Sequence, residues 1–146
     1  MKKKILIFAA FVIFSVSAAF AGTHDISKSV QLAFNSSFAN ATNISWQNNG
    51  TYYTASFQIE GRSYNALFST DAEMIAVSRN ILSTELPADL ETILRNNFSA
   101  YWISNLVKYD IGGQTKYYAT VENASQKTVL ESIGQEEWSV LKETAK

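Results

Sequence analysis

The chain has 146 residues, a formal net charge of −1, one histidine and no cysteine. This length suits one domain with a substantial core. The lack of cysteine excludes disulfides, thiolate metal sites and cysteine nucleophiles. Aromatic residues are plentiful, with 3 Trp, 7 Tyr and 9 Phe, so the packing of large rings can supply the stability that disulfides do not.

The N-terminal stretch MKKKILIFAAFVIFSVSAAFA has the pattern of a secretory signal peptide. A basic start is followed by an apolar run and by Ala19-Phe20-Ala21, which fits the A-x-A cleavage pattern. We therefore expect cleavage after Ala21, with residues 22–146 forming a single domain in the periplasm or outside the cell. The alternative is an uncleaved membrane anchor, but the run of about 15 apolar residues is shorter than the roughly 20 that span a bilayer.

The charge of the mature chain argues against a nucleic-acid partner. Removing Lys2, Lys3 and Lys4 leaves 9 of the 12 basic residues against 13 acidic ones. Binding to a phosphate backbone needs a basic patch, and this composition does not provide one. After cleavage we expect no membrane span.

The first predicted element after the signal peptide is an amphipathic helix in HDISKSVQLAFNSSF, residues 24–38. Its apolar stripe consists of residues that recur every four positions: Ile26, Val30, Phe34 and Phe38. Asp25 or Ser27 is expected to cap the helix, because a short polar side chain can satisfy a free N–H in the first turn.

Four strands are predicted next. Ile44 and Trp46 alternate with polar residues, and the turn NNG at residues 48–50 then leads into a second strand, as in a hairpin. A third strand follows Gly61, and a short fourth strand is predicted at residues 74–77. Because side chains alternate along a strand, one face is predicted to carry Tyr53, Ala55, Phe57 and Ile59 on the second strand and Tyr64, Ala66 and Phe68 on the third.

The same order of elements then restarts. LPADLETILRNNF, residues 86–98, predicts a helix with Pro87 near its first turn, where a missing N–H does no harm. Four more strands are predicted in ISNLVKYDI, TKYYATVE, SQKTVLES and EWSVLKE, with Gly112-Gly113 at the first hairpin turn. On the second of these strands, Tyr117, Ala119 and Val121 correspond to the apolar face that begins at Tyr53 in the first half.

The two halves together predict an α+β fold made of two tandem helix-plus-four-strand repeats, at about residues 25–80 and 83–143. Short turns between consecutive strands imply antiparallel pairing. Two helices cannot cover both faces of eight strands. We therefore expect the helices to pack on one face of the sheet and the other face to stay partly open to solvent.

An ordered set of segments resembles a known family. FANATNISW, YYTASFQIEGRSYNALFSTDAEMI and LPADLETILRNNF are similar to the beta-lactamase-inhibitor-like, PepSY-like domain family of exported bacterial proteins, over roughly residues 27–142. The second half departs from the pattern, with Tyr109 in place of a tryptophan and Ser125 in place of a turn glycine. The resemblance implies a tandem-repeat α+β fold, no enzymatic activity, and binding through a curved open sheet face rich in aromatic side chains.

No catalytic, cofactor or metal site is predicted. His24 is the only histidine and lies beside the expected cleavage point, so a Ser-His-Asp triad has no well-placed base. The acidic residues do not follow the spacing of an EF-hand, and Gly112-Gly113 lacks the surrounding pattern of a phosphate-binding loop. We therefore expect that the protein is not an enzyme and needs no cofactor.

The remaining functional signal is the set of exposed aromatic residues. Tyr and Trp are enriched in binding hot spots, and an apolar patch with a polar rim marks an interaction site. The residues predicted to form the open, binding face of the sheet are Tyr52, Tyr118, Leu67, Trp102 and Trp138. Each tryptophan has the alternative of core or edge packing, and Trp46 is assigned to the core side because it shares phase with Ile44.

These patterns predict an exported, non-enzymatic binding module, such as an inhibitor or modulator of an exported enzyme. This hypothesis expects Tyr52 and Tyr118 to be exposed and close together. The alternative is a binding protein for a small ligand or an envelope polymer, either glycan or peptide, which would stack on the same aromatic side chains in a groove. Self-association through an unprotected sheet edge is a further alternative.

Overall fold

The computed structural model describes residues 25–146; the predicted signal peptide and His24 lie outside this range. Helix α1 spans Lys28–Ser37 and is followed by strands β1 (Thr42–Asn48), β2 (Tyr52–Ile59), β3 (Arg62–Ser69) and β4 (Met74–Asn80). A short 3₁₀ turn at Ser83–Glu85 leads into helix α2 (Ala88–Asn97). Strands β5 (Trp102–Ile111), β6 (Gln114–Glu122), β7 (Gln126–Ile133) and β8 (Glu137–Ala145) complete the domain.

The strands form one eight-stranded sheet in the order β1 to β8, and every neighbouring pair is antiparallel. The α+β class and the antiparallel sheet are therefore as predicted. Strand β4 extends to Asn80, three residues beyond the predicted end, because residues 76–80 pair with β5. A helix and four strands follow each other twice along the chain, and the interpretation of this order as two copies of one unit stays a prediction.

Helix α1 is held by a side-chain cap and by its apolar stripe. The backbone N–H of Val30 donates to Ser27 Oγ at 3.3 Å, so Ser27 is the capping residue. Val30 and Phe34 are fully buried and pack against β2 and β3. This first core cluster contains Val30, Phe34, Ala55, Phe57, Ala66 and Phe68, with Trp46 and Val77 at its margin.

Helix α2 begins directly after Pro87, where the fixed φ of proline suits entry into a helix. Leu90 and Leu94 are its buried residues. They belong to the second core cluster, which contains Ile81, Leu86, Leu90, Leu94, Leu106, Tyr117, Ala119, Val121 and Leu130.

Both helices lie on the same side of the sheet, as the strand register shows. Val77 packs in the first cluster and pairs with Asp110 on β5. Leu106 lies four residues before Asp110, so it points to the same side, and it belongs to the second cluster. We call this side the helix side and the opposite side the helix-free face.

The part of the chain described here contains no helix that is long and apolar enough to cross a membrane.

Candidate binding face

Two tyrosines occupy the centre of the helix-free face. Tyr109 lies on β5 and Tyr118 on β6, and their ring centroids are 5.1 Å apart in an edge-to-face arrangement. Both rings are nearly buried, with 8% and 5% of their surface exposed. Each faces this side because Val107 pairs with Tyr118 and Tyr109 pairs with Lys116, out of phase with the core residue Leu106. The sheet floor is therefore aromatic where the two halves of the chain meet.

A carboxylate fixes the Tyr118 ring. The Tyr118 hydroxyl donates to Glu131 Oε1 at 2.6 Å, and Lys116 Nζ lies 2.5 Å from the same oxygen. Burial of Tyr118, with the hydrogen bond and negative charge of Glu131, raises the pKa of the Tyr118 phenol above its ordinary range. The phenol therefore remains a neutral hydrogen-bond donor in ordinary buffers.

Tyr109 is held in a similar way by β4. Burial raises the pKa of the Tyr109 phenol, and its hydrogen bond with Ser78 acts in the opposite direction. Ser78 is itself buried and pairs with Tyr109 across the strands. The two rings are thus held by neighbouring strands, and they form a rigid floor that needs little ordering when a partner binds.

A charged cluster lies at one end of the same face. The Glu122 carboxylate accepts from Ser104 Oγ at 2.5 Å and lies 2.7 Å from Lys146 Nζ. Lys127 Nζ is 3.6 Å away. The Lys146 hydrogen bond, then that of Ser104, lowers the pKa of Glu122 to about 2. The Glu122 carboxylate therefore stays ionised, and the positive charges of Lys127 and Lys146 lie beside it.

Trp102 lies at the same end and is the most exposed aromatic residue of this face. Its surface is 53% exposed, and its register partner is Glu122. Lys146 Nζ sits 4.6 Å from the centre of its ring, a distance at which a cation is attracted to an indole face. The lysine lies against the ring, while about half of the Trp102 surface stays available for contact.

The five residues predicted for the open face do not all lie on it, and those that do differ in exposure. Four of them lie on the helix-free face: Tyr52, Leu67, Trp102 and Tyr118. Tyr52 is half-buried, Leu67 is only 6% exposed and Tyr118 is 5% exposed. Of these four, Trp102 alone offers a large exposed aromatic surface.

Trp138 does not lie on this face. It packs against the second core cluster on the helix side, where its indole N–H donates to the carbonyl of Leu90 in α2 at 2.9 Å. Its register partner Ser132 also points to this side. The placement of Trp138 on the open face is therefore wrong, because α2 covers this end of β8 and provides an acceptor for the indole.

Tyr52 and Tyr118 also do not form one patch. Tyr52 is on β2 and Tyr118 is on β6, four strands apart in the sheet, which corresponds to about 19 Å at the usual strand spacing. Tyr118 is buried by its neighbours. The expectation of an exposed pair is wrong, since the repeated YY dipeptide falls at different places on a continuous eight-stranded sheet.

Trp46 lies on the core side, as its phase predicts. Its ring is 5.2 Å from that of Phe34 and 6.1 Å from that of Phe68.

Several residues of this face were not singled out by sequence reasoning. Tyr109 alternates with Val107 and Ile111, and this alternation does not say which side of the sheet it faces. Lys116, Glu122 and Glu131 resemble ordinary surface charges in the sequence, and they come together only through the register of β5, β6 and β7.

The described residues hold no group of three His, Cys, Asp or Glu side chains that could bind a metal ion. A groove of about 330 Å³ lies on the helix side, between the end of α2 and the start of β5. Leu94, Phe98 and Ile103 form part of its lining. Glu91 and Arg95 also line it, and Arg95 Nη2 lies 2.6 Å from Glu91 Oε1 in an ion pair. A smaller depression of about 160 Å³ lies beside β2 and β3.

These features define the fold. The eight-stranded antiparallel sheet in sequential order, with both helices on one side, is similar in fold to a BLIP-like protein, so the fold is beta-lactamase-inhibitor-like. No protein-family model and no curated protein matches the sequence.

Three solved structures show the likeness of fold. A BLIP-like protein from Bacteroides fragilis is 24% identical, with a TM-score of 0.70 over 85% of this chain and 89% of that chain. A candidate periplasmic protein from Bacteroides eggerthii is 22% identical, with a TM-score of 0.74 over 84% and 90% of the two chains. A DUF2874 family protein from Bacteroides uniformis is 17% identical, with a TM-score of 0.73 over 83% and 90%.

Proposed function

We propose that this protein is an exported, non-enzymatic binding module that uses its helix-free face to bind and modulate an exported protein. The observation that carries the proposal is Trp102, which is 53% exposed on the side that neither helix covers. The buried pair Tyr109 and Tyr118, bonded to Ser78 and Glu131, gives this side a rigid floor. A rigid aromatic floor limits the entropy lost on binding. The signal-peptide pattern and the likeness to a candidate periplasmic protein support export.

The charged half of the face is the proposed centre of contact. Trp102 is the exposed aromatic anchor. Glu122 is its register partner, Lys146 lies over its ring, and Lys127 pairs with Glu122. Exposed tryptophan in a setting of charged residues is typical of a hot spot with a polar rim. The likeness to a BLIP-like protein supports a protein partner, and a target enzyme is part of the proposal.

The proposal is tested by affinity capture followed by a direct binding measurement. Protein purified from the full-length sequence is immobilised and exposed to an extract of its own source, and each captured protein is identified, purified and titrated against it. Trp102→Ala removes the exposed anchor, and Leu32→Ala is the matched control, because Leu32 is 67% exposed on α1. We expect an exported protein that binds the wild type and the control, with affinity at least about tenfold weaker for Trp102→Ala.

Inhibition of the captured protein, if it is an enzyme, is measured with the same three variants. A partner that binds wild type and Trp102→Ala equally well contradicts the proposed contact. Capture of cytoplasmic proteins alone contradicts the exported role.

A further inference from the structure

Charge is distributed very unevenly over the helix-free face. On strands β5–β8 this face carries Lys116, Glu122, Lys127 and Glu131, among others. On strands β1–β4 the register places only uncharged side chains on this face. The polar ones are Thr42, Ser45, Gln47, Thr54, Ser56, Gln58, Ser63, Asn65, Ser69, Ser78 and Asn80. We call the helix-free face of β1–β4 the neutral half.

The neutrality does not come from pairing of opposite charges within this half. Strands β1–β4 contain two charged residues, Arg62 and Arg79. Both point to the helix side, where their guanidinium groups lie 3.4 and 2.9 Å from Glu85 Oε1. The neutral half is therefore an uncharged surface made mostly of hydroxyl and amide groups. It also contains the apolar residues Leu67 and Ala76, and Tyr52 lies at one end of β2.

The groups of the neutral half are arranged by cross-strand hydrogen bonds. Ser56 Oγ donates to Asn65 Oδ1 at 2.7 Å, and Asn43 Nδ2 donates to Gln58 Oε1 at 2.8 Å. Each amide has two donors and two acceptor positions, so these bonds use only part of its capacity. The same side chains line the depression of about 160 Å³ beside β2 and β3.

We propose that the neutral half binds an uncharged glycan chain. Hydroxyl and amide groups both donate and accept, as the hydroxyls of a sugar do, and no ionised group has to lose its water when such a ligand binds. The Tyr52 ring supplies an amphipathic surface for the face of a sugar ring. From Tyr52 to Gln58 the array extends about 20 Å along β2, so it suits an extended chain.

A protein partner fits this half less well. The cores of protein interfaces are enriched in Tyr, Trp, Phe, Met and Arg, and the neutral half offers one such residue, Tyr52. The proposed glycan site is therefore distinct from the proposed protein contact around Trp102 on the other half of the face. The two proposals can be tested independently of each other.

The test is isothermal titration calorimetry with defined oligosaccharides. Protein purified from the full-length sequence is titrated with neutral hexasaccharides of β-1,4-linked glucose, α-1,4-linked glucose and β-1,4-linked mannose, and with an oligogalacturonate as the charged probe. Asn65→Asp keeps the acceptor for Ser56 but adds a negative charge and removes the amide donors. Thr144→Asp is the matched control, because Thr144 is exposed on β8 and pairs with Lys127 on the charged half.

We expect at least one neutral hexasaccharide to bind the wild type and Thr144→Asp equally, and to bind Asn65→Asp about tenfold more weakly. Its dissociation constant should change less than about twofold between low and high salt, since no ion pair is involved. The proposal is wrong if none of the neutral hexasaccharides binds. It is also wrong if Asn65→Asp binds them as tightly as wild type does, or if only the oligogalacturonate binds.

Discussion

At the residue scale, Glu122 is a carboxylate that the fold keeps ionised far into acid. Ser104 and Lys146 donate hydrogen bonds to it, and Lys127 forms a longer ion pair with it. Hydrogen bonds from Lys146 and Ser104 lower its pKa from 4.5 to about 2. Because the pKa is lower in the folded state, Glu122 stabilises the fold above the unfolded value near 4.5, and this contribution is lost as the pH falls toward 2.

The prediction for Glu122 concerns the variant Glu122→Gln. We expect the free energy of unfolding of wild type to exceed that of the variant at pH 6, and the difference to shrink between about pH 4.5 and 2. Urea denaturation followed by tryptophan fluorescence at several pH values measures this difference. A difference that stays constant over this range would show that Glu122 is not preferentially ionised in the folded state.

At the scale of single elements, the aromatic side chain of Phe34 links α1 to three strands. Phe34 is 1% exposed, and its ring centroid lies 5.0 Å from that of Phe57 on β2. The same ring also contacts Trp46 on β1 and Phe68 on β3. A single helical residue thus contacts three strands, which is why the α1 stripe holds the N-terminal half of the sheet together.

We expect Phe34→Ala to lower the free energy of unfolding by about 3–5 kcal/mol, because it leaves a cavity among the rings of Trp46, Phe57 and Phe68. Leu32→Ala, two residues earlier on the exposed side of α1, should change it by less than about 0.5 kcal/mol. Urea denaturation of wild type and both variants measures these changes in the free energy of unfolding. A loss below about 1 kcal/mol for Phe34→Ala would mean that the surrounding rings collapse into the space.

The elements were largely predictable because their signals are local. The four-residue stripe of α1, the Pro87 start of α2 and the alternation on β2 each depend on neighbours in the sequence. The turn at Gly50 was predictable for the same reason, since its φ of +87° favours glycine. The environment of Trp138 was not, because its partner is the Leu90 carbonyl, 48 positions away in the sequence.

At the scale of the whole molecule, the sheet divides its helix-free face into a charged half and a neutral half. The aromatic floor of Tyr109 and Tyr118 lies toward the charged half, and both charged residues of β1–β4 are turned to the helix side. This arrangement allows one face to present two different surfaces without any change of backbone. The proposed protein contact and the proposed glycan contact follow from this division.

Export is the whole-molecule prediction that bears on every proposed partner. We expect the mature protein to begin at Gly22, which leaves 125 of the 146 residues, because Ala19-Phe20-Ala21 fits the cleavage pattern. Cell fractionation and intact-mass measurement of the product in its own source check this. A product that retains its first 21 residues and stays in the membrane fraction would support the anchor instead.

The sequence by itself determined the helices, the strands and the residues that face the core. The apolar residues repeat at helical spacing in Val30 and Phe34 and at strand spacing in Tyr53, Ala55 and Phe57, and both spacings are local signals. It did not determine which side chains share the helix-free face or how exposed they are. The pairing of eight strands decided that Tyr118 is buried against Tyr109 and Glu131, whereas Trp102 stays exposed. Strand register is a long-range property, and only the tertiary structure brings distant charges and rings to one surface.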